Sequence, residues 1–111
     1  MLNIQQNDII VTRGDSLLLR ITLQDADLPE GTEARFTVKR RPRDEEPAVE
    51  KTFALEEDTV TLYLAPGDTN LPPGTYYWDL RLIIPHEGEE DEVRTPMEYA
   101  AFTVLEAIGD V

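Results

Sequence analysis

The chain holds one histidine, His86, one serine, Ser16, and no cysteine. These counts remove most enzymatic chemistry at the outset. A serine nucleophile needs a base within hydrogen-bond reach. Ser16 opens an apolar alternating stretch, whereas His86 lies in a distant polar loop beside Glu87 and Gly88, so the pair is not expected to meet. Without cysteine there is no thiol nucleophile, disulfide or thiolate metal site. Carboxylates are abundant, 23 in all. Acid–base pairs need a cleft that shifts their pKa values, and nearly all these acids fall in loops or at outward strand positions. Asp79, mid-strand beside Arg81, reads as one half of an ion pair.

Glu87, Glu89, Glu90, Asp91 and Glu92 crowd one loop. Calcium takes six to eight oxygens, but the loop lacks the Asp-x-Asp-x-Asp-Gly ladder that would build a cage. It reads as a solvated hairpin tip, and Asp25-Ala26-Asp27 is a thinner version of the same signal. No catalytic, cofactor-binding or metal-binding residue is expected, and the chain is expected not to be an enzyme.

What remains is recognition. Lys39-Arg40-Arg41-Pro42-Arg43 places four of the ten basic residues within five positions, and Asp44-Glu45-Glu46 follows at once. A plain reading is a loop that neutralises itself. A sharper one is a contact loop in which Arg40, Arg41 and Arg43 dock on Glu89, Glu90 and Asp91 of another copy or of a neighbouring protein. Nucleic acid is excluded as the main partner, because phosphate-binding surfaces are basic and the net charge is -13. That charge is uneven. Residues 1–43 carry seven basic and six acidic side chains, and residues 44–111 carry three and seventeen. Arg13-Gly14-Asp15, also an integrin-binding tripeptide, is read as hairpin punctuation.

The elements that must position these groups are strands. Apolar residues recur at every second position. Leu17, Leu19, Ile21 and Leu23 share one face, as do Ala34, Phe36 and Val38, then Val60, Leu62 and Leu64, then Tyr76, Trp78, Leu80, Leu82 and Ile84. Strands are predicted at 8–12, 16–24, 34–40, 49–55, 59–64, 75–84 and 92–105, the last broken near Pro96. Lys51 interrupts the apolar face of the fourth and suggests an edge. Prolines and glycines between residues 65 and 74 exclude a helix, apart from one turn near 66–69. Trp78 is the expected packing pin of the core, and Tyr77 the expected exposed aromatic. Residues 106–111 are a fraying tail.

The 111 residues fit one domain. The expectation is an all-β, two-layer immunoglobulin-like β-sandwich of about seven antiparallel strands. No apolar run reaches the roughly 20 residues of a membrane span. The N-terminus has no basic start before an apolar stretch, so no signal peptide is expected.

Several blocks together carry a resemblance. They are Arg13-Gly14-Asp15 leading into Leu17-x-Leu19-x-Ile21-x-Leu23, the run Ala34–Lys39, the run Leu71-Pro72-Pro73-Gly74-Thr75-Tyr76-Tyr77-Trp78-Asp79-Leu80-Arg81-Leu82, and Phe102-Thr103-Val104. Together they resemble small immunoglobulin-like β-sandwich domains of phage and prophage tail and baseplate proteins, in particular the N-terminal domain of baseplate upper proteins. The Leu-x-Pro-Gly-x-Tyr entry also resembles fibronectin type III domains, but there the tyrosine matching Tyr77 faces inward, whereas the apolar row here runs through Tyr76. The phage resemblance implies a non-enzymatic structural module of a virion, assembled in the bacterial cytoplasm, with protein partners or symmetric copies of itself. The alternative is an adhesion or carbohydrate-binding sandwich, which would need an exposed aromatic patch.

Overall fold

The computed structural model describes residues 7–23 and 28–109; Asp25-Ala26-Asp27 lies outside them. Eight strands run through the described residues: β1 (Ile9–Thr12), β2 (Leu17–Thr22), β3 (Glu33–Lys39), β4 (Val49–Glu56), β5 (Thr59–Leu64), β6 (Gly74–Ile84), β7 (Glu92–Arg94) and β8 (Ala100–Leu105). The apolar alternation sets their faces: Ala34, Phe36, Val38, Val60, Trp78, Leu80, Leu82 and Phe102 are essentially removed from solvent. A one-residue slip of any of these strands would turn that row into water.

The strands follow one hydrogen-bonded path, β1-β8-β6-β3-β4-β5-β2, with β7 added to β6. The expected break near Pro96 divides the last strand into β7 and β8, around a buried proline that has no N–H to donate. Two other features correct the sequence-based expectation. The ladder is not wholly antiparallel: β1 runs parallel to β8, Ile9 opposite Phe102 and Thr12 opposite Leu105. The two layers are also not separate sheets. β4 pairs through Val49–Ala54 with β3 and through Leu55 and Glu56 with β5, so one curled sheet wraps a single core in a partly open barrel. The segment near 66–69 is a hydrogen-bonded turn, with the Asp68 N–H donating to the Ala65 carbonyl at 2.9 Å.

Where β4 parts from β5, Lys51 fills the gap. Its ammonium donates to the Tyr63 carbonyl at 3.1 Å and to Asp68 Oδ2 at 2.8 Å. The polar residue in an apolar row thus joins β4 to β5 where ladder bonds are missing. Asp68 also accepts the Ala65 N–H at 2.8 Å. The Lys51 hydrogen bond, helped by that N–H and opposed by partial burial, holds the Asp68 carboxyl below its ordinary value of 3.8. A depressed carboxyl contributes stability above the unfolded value and loses it as pH falls through the folded one. Asp68→Asn is therefore expected to lower stability by about 1 kcal/mol at pH 7. The difference from the parent should shrink as pH drops below 3.8, and urea melts at stepped pH would read this directly.

Candidate interaction surface

The register of β3 and β6 decides where the loops go. Lys39 lies opposite Tyr77 and Glu33 opposite Ile83. The connection after β3 and the connection after β6 therefore emerge at opposite ends of the molecule. β6, at 11 residues, separates them by roughly 35 Å. Arg40, Arg41 and Arg43 sit at one end and Glu89, Glu90 and Asp91 at the other. The structure does not bring the two predicted contact groups together within one copy.

The basic loop does not neutralise itself through its side chains. Asp44 turns back on the backbone, its Oδ2 accepting the Arg41 N–H at 3.1 Å, and among the described residues Arg41 and Arg43 form no ion pair. Both are exposed. Arg40 differs. Its guanidinium lies 4.8 Å from the centre of the Tyr76 ring and donates to the Thr75 carbonyl at 3.3 Å. It anchors the loop to the start of β6, so of the three arginines only Arg41 and Arg43 are free to meet a partner.

The opposite end is acidic throughout. Its connections 28–33, 56–58 and 85–91 hold two, three and four carboxylates and no lysine or arginine. Among the described residues no three of these groups converge on a metal-binding geometry. His86 is not simply solvated: its Nε2 lies 2.8 Å from Glu92 Oε1 at the base of the hairpin. Arg94, with His86 second, holds the Glu92 carboxyl below its usual range. Ser16 lies exposed at the arginine-bearing end, the length of the domain away from His86.

Between the two ends, the outer face of β3, β4 and β6 forms a groove of about 400 Å³. Arg35, Thr37, Tyr77, Asp79 and Arg81 lie along it, with the Pro42–Pro47 loop and Tyr99 also on its lining. Tyr77 is only half exposed, because the Tyr99 ring meets it edge-on, centroids 5.6 Å apart. Tyr99, at 59% exposure, is the outlying aromatic. The period-two reading missed it, because Tyr99 precedes β8 and belongs to no alternating row.

Fold and surface together define a β-sandwich domain with one end of mixed charge, one end of carboxylates, and a grooved outer sheet face. The chain belongs to the LtfC-like β-sandwich domain family, whose model matches residues 3–99. That membership bears out the β-sandwich but does not distinguish a baseplate type. No curated protein matches the sequence significantly. Among solved structures, one is a chain from a study of T cell specificity and activation by the bacterial superantigen toxic shock syndrome toxin-1. It shares the fold with a TM-score of 0.59 at 11% identity, over 95% of this chain and 98% of that one. Another is a chain attributed to a glycoside hydrolase of Bacteroides vulgatus, with a TM-score of 0.47 and 15% identity, over 89% of this chain but 16% of that one.

Proposed function

We propose that the chain is a non-enzymatic structural module of a phage or prophage particle, of tail or baseplate type, that docks copies of itself or neighbouring subunits. In this reading it is a virion component assembled in the bacterial cytoplasm. Family membership over residues 3–99 supports a phage-related β-sandwich. The pairing of β2 with β5, and of β3 with β6 and then β8, corresponds to the B–E and C–F–G pairing of immunoglobulin-type sandwiches, which supports the finer fold class. The observation that carries the reading is the placement of the free arginines. Arg41 and Arg43, in no ion pair among the described residues, stand in a mixed-charge loop at one end, whereas the connections of the other end hold carboxylates and no lysine or arginine, so contact between these arginines and those carboxylates must be intermolecular.

Mass spectrometry of purified particles from the strain that carries the gene tests the reading, with the chain expected as a stoichiometric component. Its absence from the particles would remove the proposal. Reversing Arg41 and Arg43 to glutamate is expected to weaken incorporation by about tenfold or more, as loss of close charge pairs does at other interfaces, with the thermal melt unchanged. The adhesion reading has one supporting observation, the exposed Tyr99 beside the groove, and saturable binding on a glycan array would favour it.

A further inference from the structure

The outward side chains of the central strands form a pattern with an unusual property. Along β6 they are Tyr77, Asp79, Arg81 and Ile83, and along β3 they are Lys39, Thr37, Arg35 and Glu33. The register sets them in rows: Tyr77 with Lys39, Asp79 with Thr37, Arg81 with Arg35, Ile83 with Glu33. Glu50 of β4 extends the Asp79 row, and Thr52 extends the Arg81 row. Successive rows are about 6.6 Å apart. Turned end for end about a line between the Asp79 row and the Arg81 row, this face becomes its own complement. Asp79 then falls over Arg81, Lys39 over Glu33, and Tyr77 over Ile83.

We infer that the outer face of β3, β4 and β6 is an isologous interface on which a second copy of this chain packs antiparallel. This rests on the proposed docking role and names the surface that performs it. Within one copy Arg35 and Arg81 stand directly opposite each other, a destabilising like-charge pair, and among the described residues only Asp79 approaches as a carboxylate, 3.6 Å from Arg81. The second copy supplies the missing carboxylates, Asp79 and Glu50 of its own acidic row.

The flanking surface is apolar where the symmetry requires it. Tyr99 rests on Tyr77 at one side of the axis. Val93, 56% exposed, pairs with Ile83 at the other. Ala101, beside Tyr77, adds to the first group. With β7 and β8 sharing the position beside β6, the face spans about four strand widths by six residues, roughly 19 by 20 Å; that is below standard interface size, so the pairing is of the weaker kind and rests on the facing charges rather than on area.

The antiparallel arrangement also sends the two acidic ends to opposite poles. It lays the Arg41–Arg43 loop of each copy toward the acidic loops of the other. At physiological salt the Debye length is about 8 Å, so the facing rows attract while the distant carboxylates are screened.

Sedimentation equilibrium of the full chain tests the inference, with three variants on solvent-facing positions: Asp79→Arg, Arg81→Glu, and the swap D79R/R81E. The parent is expected to dimerise. Each single variant should weaken the dimer by about tenfold or more, because like charges then meet across the axis. The swap, which exchanges the two charges, should restore affinity to within about threefold. Association should peak near 0.15 M salt and fall both at 0.01 M, where whole-molecule repulsion reaches across the pair, and at 1 M.

A parent that stays monomeric to about 200 µM overturns the inference. So does a folded swap variant that fails to recover. A dimer indifferent to all three variants but lost on reversing Arg41 and Arg43 overturns this face and leaves the loop contact standing. Dimerisation with the expected pattern, in a protein absent from particles, would sink the virion role and keep the interface.

Discussion

Trp78→Ala is expected to lower the unfolding free energy by about 3–5 kcal/mol, the scale of deleting a large aromatic from a closed core. Against the roughly 5–15 kcal/mol total of a domain this size, that leaves a marginal fold. Trp78 is 1% exposed. It packs against Phe36, centroids 5.3 Å apart, and Phe36 in turn meets Phe102 at 6.3 Å. The indole also has a partner that a hydrocarbon lacks: Nε1 donates to the Asn7 carbonyl at 2.8 Å. That bond ties the chain just before β1 to the middle of β6. Trp78→Phe keeps a ring and loses the donor, so it should cost about 1–2 kcal/mol, well short of the alanine. Urea unfolding followed by far-UV circular dichroism is the right readout, because both variants remove the only tryptophan and with it the fluorescence signal. An alanine variant within about 1 kcal/mol of the parent would mean that the core does not close on this ring.

That reliance on Trp78 was legible in the sequence, and the reason is physical. A side-chain row of period two can be buried on one face only in a strand, so Tyr76, Trp78, Leu80, Leu82 and Ile84 announced both β6 and its inner face. Strand partners were a different matter. Nothing local tells β4 to leave β3 after Ala54 and continue with β5, or β1 to lie parallel to β8. Those choices depend on how far the sheet must curl to close over Phe36 and Phe102, which is a property of the whole core. Lys51 was visible as an anomaly; its purpose required Asp68 and the Tyr63 carbonyl, twelve and more residues away. The candidate site divided in the same way. The sequence placed unlike charges in two loops, and only the β3–β6 register puts those loops at opposite ends. The self-complementary rows were beyond reach until Arg35 and Arg81 could be set side by side.

Gly74→Val is expected to cost about 2–4 kcal/mol, combining backbone strain with a displaced cation, although Gly74, at the head of β6, has no side chain of its own. Gly74 enters β6 with φ at +148°, a region that L side chains rarely adopt. A Cβ there would collide with Arg40 Nη1, part of the same guanidinium that lies over the Tyr76 ring and donates to Thr75. The two contributions separate in a double-mutant cycle. In an Arg40→Ala background the obstruction is gone and only the backbone strain remains, so the Gly74 substitution should cost about 1–3 kcal/mol there. The difference between the two backgrounds measures what Arg40 holds in place. It also bears on the interface, because Arg40 fixes the root of the loop that carries Arg41 and Arg43. Loosening that root by Arg40→Ala should weaken any contact made by the loop while leaving the Asp79 and Arg81 rows intact. If Gly74→Val proves as costly without Arg40 as with it, the guanidinium merely rests on β6, and the loop takes its shape from Pro42, Asp44 and Pro47 alone.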